Sequence, residues 1–352
     1  MTDAVLFDCD GVLIDSHASY DRAIEMTLAY FLSRIFGLEM NPRLPVSKFV
    51  EYLRGTGHFN NDIDTTAAIL VSILVSLRSH STSGLKASVG GQTLDEKSDS
   101  TKASVEELRE AFDSEAFAKS VLTVLEIASQ GFVKFVRAVK SANPRMAPRI
   151  DELLERLSYP SSPSTSLLCR VFNEYYYGRT LLRQLYGLAP LVGRETGLID
   201  AEKVIVCADA LETLSTKLQN GRIGIVSGRS RLGTEYTLGG LVTFFQDGPM
   251  IFLEDEEANP TPGQPFLGKP DPKSLLQAAA FLGSSNGILY VGDSAEDLLM
   301  TLNANLKSST FSFCGVVETA NSPSRASMFA ERGADAILES ANDLPALLSS
   351  IR

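Results

Sequence analysis

Ala4-Val5-Leu6-Phe7-Asp8-Cys9-Asp10-Gly11-Val12-Leu13-Ile14-Asp15-Ser16 is the stretch on which the fold turns. Its apolar run Val5-Leu6-Phe7 reads as a short buried strand, and the strand ends on two acids two residues apart. Residues i and i+2 of an extended chain share a face, so Asp8 and Asp10 can project toward one site just beyond the strand's carboxyl end. Like charges held that close are costly unless a cation or a shared proton relieves them. Taken alone, Asp-x-Asp-Gly is equally an acidic loop with a turn glycine. Its meaning depends on the rest of the chain.

Downstream of Ser16 the pattern turns helical. Tyr20, Ile24, Leu28, Phe31 and Leu32 recur at three- and four-residue steps, with Asp15 or Ser16 placed to cap the start. Val46 to Leu53, Ile63 to Leu77, Ile150 to Leu157 and Ser166 to Tyr186 read as further helices, punctuated by prolines. Ser104 with Glu107 forms a capping box that opens another helical stretch. Residues 79–103, rich in Ser, Gly, Thr and Lys without apolar periodicity, are expected to form a mobile inserted loop. No strand is expected between 16 and about 190.

The period then changes. Ile223–Val226, Met250–Leu253, Ile288–Val291, Thr310–Val317 and Ala336–Leu338 are short apolar runs. Helical patterns at Ala208–Leu218, Asp271–Leu282 and Asp297–Ala304 lie between several of them. Such alternation predicts βαβ units and a parallel sheet covered on both faces. The amino-terminal strand needs that sheet to pair with. The predicted fold is therefore α/β, a core of residues 1–15 and 191–352 interrupted by an all-helical domain at 16–190.

Bulk properties narrow the function. A chain of 352 residues with a formal charge of -11 has no basic surface for nucleic acid. It suits a phosphorylated substrate only where a metal or local Lys and Arg offset the repulsion. The four cysteines have no paired spacing and read as reduced thiols of a cytoplasmic protein. Neither a signal peptide nor a membrane span is expected: Asp3 stands where a basic segment would, and the apolar run Ala67–Leu77 is too short to cross a bilayer.

Three clusters at strand ends give the acid pair a context, since open α/β sheets bind ligands beyond the carboxyl ends of their strands. In Val226-Ser227-Gly228-Arg229, a hydroxyl, a flexible backbone amide and a cation suit a bound phosphate. In Gly268-Lys269-Pro270-Asp271, a lysine is held in extended backbone ahead of a helix. In Gly292-Asp293-Ser294-Ala295-Glu296-Asp297, acids recur one helical turn apart. Each alone is equally a turn, a solvated lysine or a helix cap. Together they supply what phosphoryl transfer through an aspartyl-phosphate requires.

These segments resemble the four motifs of the haloacid dehalogenase superfamily, in the subfamily whose helical cap follows the first strand. The resemblance covers residues 1–16 and about 195–352. It implies a Rossmannoid three-layer α/β/α core with a parallel sheet. It makes Asp8 the nucleophile, Asp10 the general acid and base, Ser227 with the Gly228 amide the phosphate holder, and Lys269 the neutralising cation. It assigns Mg²⁺ to Asp8, the Asp10 carbonyl and Asp293, with Asp297 supporting the metal site from behind. Dehalogenases lack the second acid, so Asp10 favours a phosphatase acting on a small phosphorylated metabolite. A phosphomutase resembling β-phosphoglucomutase is the alternative, and a non-catalytic binding protein a second. Arg229, next to the phosphate segment, is a candidate for a substrate anion. The segment Gly57–Asp62 resembles one in a branch of capped phosphatases, where the loop in this place touches substrate; Arg54, His58, Asn60, Asn61 and Asp62 are thus further substrate-binding candidates.

Overall fold

The computed structural model describes residues 2–38, 40, 44–59, 61–80, 114–127, 131–162, 164–218, 222–252, 255, 268–283, 287–308, 311–318 and 323–350. The chain divides into two compact units, one formed by Met1–Ser19 with Ile199–Arg352 and the other by Tyr20–Leu198.

The first unit is built on a six-stranded sheet in the order β5-β4-β1-β6-β7-β8, with every neighbouring pair parallel. Its strands are β1 (Ala4–Phe7), β4 (Ile223–Val226), β5 (Met250–Ile251), β6 (Ile288–Gly292), β7 (Phe311–Val316) and β8 (Ala336–Leu338). The α/β class and the parallel sheet are those expected from the sequence. β1 sits in the middle, Phe7 opposite Ile225 on one side and Val291 on the other. All four of its side chains are fully buried, so a continuous apolar run, not an alternating one, marks it.

Alternation along β1 sorts its side chains into two cores. Val5 and Phe7 pack with Leu211 and Leu214 of the helix Ala208–Lys217, with Phe245, and with Leu344 and Leu348 of the helix Leu344–Ser350. Ala4 and Leu6 pack on the opposite face with Leu275 and Ala278 of Lys273–Leu282, Leu298 and Met300 of Ala295–Asn305, and Phe329 of Pro323–Glu331. Helices on both faces make this unit a three-layer sandwich. The chain leaves β1 for β4 and β5 on one side, then crosses to β6, β7 and β8 on the other. Strand order thus reverses about β1, and the carboxyl ends of β4, β1 and β6 flank the crevice where such sheets hold ligands.

Boundaries move by small amounts. The strand expected at Met250–Leu253 is two residues long, with Leu253 outside the described residues, and that at Thr310–Val317 is Phe311–Val316. The helix expected from Asp271 opens at Lys273, because Asp271 instead accepts the Lys273 amide proton through Oδ1 at 2.9 Å. One element had no sequence signal: β2 (Ile14–Asp15) pairs antiparallel with β3 (Lys203–Val204).

Among its described residues the second unit contains helices and turns and no strand. Its longest helices are α3 (Asp62–His80) and Leu167–Tyr186, the latter kinked at Gly178. Buried Glu174 accepts the backbone amides of Leu191, Val192, Gly193 and Arg194, which pins the segment after that helix and satisfies a buried charge. Residues 79 and 80, expected in a loop, continue α3; the rest of the 79–103 segment and the Ser104–Glu107 capping box lie outside the described residues. All four cysteines are free thiols, buried except Cys207. No helix of the described residues is long and apolar enough to cross a membrane.

Candidate active site

β1, β4 and β6 each run out into a polar side chain expected at the site: Asp8 follows Phe7, Ser227 follows Val226, and Asp293 follows Gly292. The Asp8 amide donates to Val291 O at 2.9 Å and the Ser227 amide to Ile251 O at 3.0 Å, so the ladder holds both residues in place. Beyond Asp8 the chain turns on itself, the Cys9 carbonyl accepting the amides of Leu13 at 2.8 Å and Ile14 at 3.0 Å. This turn carries Asp10 and Gly11.

Asp8, Asp293 and Asp297 are all buried, and one carboxylate oxygen from each lies within 4.8 Å of the others. Lys269 Nζ stands 2.8 Å from Asp8 Oδ1 and 2.7 Å from Asp297 Oδ1. One cation stands almost midway between two buried acids, whose other partners differ. Asp297 accepts the Ser294 amide and hydroxyl at 3.0 and 2.6 Å in a capping box, and the Tyr290 hydroxyl lies 3.0 Å from its Oδ1. Although burial opposes ionisation, Lys269 and Ser294 hold its carboxyl below the usual range. Asp8 has fewer such donors. Burial pushes it up to about 7, Lys269 pulling down while Asp297 and Asp10 push further up. Both acids in turn hold Lys269 firmly charged despite its own burial.

Burial raises Asp293 as well, opposed first by Arg325, whose Nη1 is 2.8 Å from Oδ2. His17 Nε2 lies 3.9 Å from the same oxygen. Gly11, at φ 73°, is required here: a Cβ at that position would stand 2.2 Å from Asp293 Oδ2. Gly292 is required likewise, since its Cβ would meet that of Asp297 at 2.4 Å. The glycines let backbone and carboxylates crowd together.

The donor set fits a hard divalent cation. Two of the three clustered acids, Asp8 and Asp293, are held above their ordinary ionisation range by burial, a cost that a bound cation would relieve, and carboxylate oxygens suit Mg²⁺. Asp297 is committed on both oxygens to Lys269, Tyr290 and Ser294, so it positions Lys269 and the strand end.

The remaining site candidates are placed as follows. Ser227 is 2% exposed and its hydroxyl accepts the Arg229 amide at 3.3 Å; a Cβ at Gly228 would meet nothing within 4 Å. Arg229 is buried, its guanidinium engaging Asp10, Glu202, Thr237 and the Gly233 carbonyl. In the helical unit Arg54 pairs with Asp21 at 2.8 Å and Asp62 at 2.9 Å. Asn61 accepts the amides of Ile63 and Asp64 at the start of α3, and His58 is exposed. Asn60 lies outside the described residues. Sequence reading missed Glu202, Tyr290, Arg325 and His17. Only Ser294 left a trace, in the Ser-x-x-Asp spacing of a cap.

No protein-family model matches this chain, and a search of curated proteins returns no match. Among solved structures it is similar to an X-ray structure of Northeast Structural Genomics Consortium target ZR25, at 19% identity and TM-score 0.65, covering 99% of both chains. A phosphatase, Tt82, from Thermococcus thioreducens matches at 23% identity and TM-score 0.47 over 94% of this chain and 99% of that one. A conserved haloacid dehalogenase-like protein of unknown function from Agrobacterium tumefaciens matches at 17% identity and TM-score 0.43 over 100% and 99%. The first of these, spanning both chains almost end to end, shows a shared fold.

Proposed function

We propose that this chain is a Mg²⁺-dependent phosphatase of the haloacid dehalogenase type, hydrolysing a small phosphate monoester through an aspartyl-phosphate on Asp8. The observation that carries the reading is the buried cluster of Asp8, Asp293 and Asp297, one carboxylate oxygen of each within 4.8 Å of the others, with Lys269 against Asp8 and Asp297. Three acids gathered this closely exceed the two cations, Lys269 and Arg325, that touch them, and a metal would supply the remaining positive charge.

Asp8 and Asp293, with the Asp10 carbonyl, would hold the metal. When bound it neutralises phosphate charge and keeps Asp8 ionised. The Ser227 hydroxyl and the Gly228 amide bind the phosphoryl oxygens. An Asp8 oxygen attacks phosphorus, the ester P–O bond breaks, and protonated Asp10 gives its proton to the leaving oxygen. Water then attacks the phosphorus of the acyl phosphate and passes a proton to Asp10, releasing inorganic phosphate and the Asp8 carboxylate. Lys269 offsets the charge that Asp8 and the phosphoryl group share, held for this by Asp297.

Phosphate release from a panel of monoesters, with Mg²⁺ and with chelator, tests the proposal. Activity that ignores chelation would overturn it. A requirement for a bisphosphate activator with little phosphate release would assign a phosphomutase instead.

A further inference from the structure

Arg229 stands two residues beyond Ser227, and its position in the sequence invites a role on the substrate anion. Its geometry points elsewhere. The side chain is 0% exposed, and the guanidinium is locked on one edge: Nη2 donates to Glu202 Oε2 at 2.5 Å, Thr237 Oγ1 at 2.9 Å and Gly233 O at 3.2 Å. The other nitrogen, Nη1, donates to Asp10 Oδ1 at 2.9 Å. Glu202 is itself 0% exposed, with Thr237 Oγ1 at 3.0 Å from Oε2 and Ser19 Oγ at 2.8 Å from Oε1.

A buried arginine and a buried glutamate already cancel in charge, and such a pair is often no more stable than apolar side chains in its place. The third member gives the arrangement its point. Asp10 sits on the turn after β1 with its side chain 32% exposed, and among the described residues its Oδ2 receives no hydrogen bond. A guanidinium is a rigid planar fork, so anchoring one edge fixes where the other presents its N–H. Asp10 is thereby held in place through Oδ1 alone. A general acid works only within hydrogen-bond reach of the atom it protonates, and misplacement by an ångström can cost about 10²-fold.

We infer that Arg229, anchored by Glu202 and Thr237, is a positioning residue for Asp10 and acts on the reaction through that carboxylate. The inference rests on the phosphatase reading and on Asp10 as its acid and base. The ribbon β2–β3 then has a function: Glu202, which precedes Lys203 of β3, is carried into the site by the strand that pairs with Ile14–Asp15, just past the Asp10 turn.

The test is steady-state kinetics of the full chain with Mg²⁺ on p-nitrophenyl phosphate, whose leaving group barely needs protonation, and on an alkyl phosphate, whose leaving group does. Arg229→Met is expected to lower kcat on the alkyl ester about 10- to 100-fold and on the aryl ester less than about 5-fold, with KM within about 3-fold for both. Placed in an Asp10→Asn background, it is expected to cost less than about 2-fold more, because the group it positions is gone. Arg229→Met leaves Glu202 buried and uncompensated, so Arg229→Met with Glu202→Met, which removes both charges, is measured beside it, folding being checked by thermal unfolding. Thr237→Val, which keeps every charge, is expected to show the same ester pattern at about 3-fold. A KM raised tenfold with kcat retained, equal losses on the two esters, or full additivity with Asp10→Asn would overturn the inference. Retained activity in Asp8→Asn would instead overturn the phosphatase reading itself.

Discussion

Each unit of this protein sets one cation between two carboxylates, and the two settings have opposite consequences. In the helical unit Arg54 pairs with Asp21 and Asp62, with side-chain exposures of 27%, 39% and 13%. Burial works against the guanidinium, but Asp62 and Asp21 more than offset it and the arginine stays firmly charged. Asp62 gains further from its place in the first turn of α3, where a negative charge is favoured. In the α/β unit Lys269, Asp8 and Asp297 are 7%, 9% and 0% exposed, and Asp293 adds a third acid nearby. There Lys269 and Ser294 hold Asp297 down against its burial, while burial raises Asp8 to about 7 although Lys269 opposes the rise. The half-buried triad balances one guanidinium with two carboxylates. The buried one gathers three acids against two cations, Lys269 and Arg325, the setting in which the proposed metal would act.

Removing the shared cation should separate the two units most sharply. Lys269→Met is expected to cut kcat by about 10³-fold in phosphate release, since fixed charges aimed at a transition state are commonly worth about 10²–10³-fold or more. Gly11→Ala is expected to weaken Mg²⁺ binding at least about 10-fold by calorimetric titration, because its Cβ would stand 2.2 Å from Asp293 Oδ2. Arg54→Met, by contrast, is expected to cost about 1 kcal/mol in chemical unfolding and leave kcat/KM within about 3-fold.

A pH-dependent effect tests burial without a cation. Asp64 receives the Tyr159 hydroxyl at 2.5 Å, and burial raises its carboxyl to about 6 although that hydrogen bond opposes the rise. A folded-state value above the unfolded one of about 3.9 means a contribution fully present below pH ~4 and lost as pH rises through 6. Thermal unfolding from pH 4 to 7.5 should therefore show Asp64→Asn losing about 1–2 kcal/mol less stability than the wild type, the carboxyl being partly exposed.

What was legible in the sequence follows from what is local. β1, β4 and β6 are continuous apolar runs, and each announces its end by changing abruptly to Asp8, Ser227 or Asp293. Asp8, Asp10, Ser227, Asp293 and Asp297 could be found because each lies at or shortly beyond such an end, and Lys269 because prolines set it off just ahead of a helix. What was not legible depends on partners far along the chain. Glu202 immediately precedes a two-residue strand with no period to detect, and only the fold shows that it meets Arg229, 27 residues on. Arg325 and His17 reach Asp293 across 32 and 276 residues respectively, and neither sits in a recognisable pattern. Ser294 and Asp297 show that two readings of one spacing need not exclude each other. They form a helix cap, and the same carboxylate holds Lys269.

The most direct test is phosphate release from a broad set of monoesters by the wild-type chain and Asp8→Asn, each with Mg²⁺ and with chelator. The expected result is release by the wild type that stops on chelation, and at least about 10³-fold less from Asp8→Asn under every condition. Wild-type release that persists in chelator, or an Asp8→Asn variant that retains it, would contradict phosphoryl transfer to the carboxylate at the end of β1.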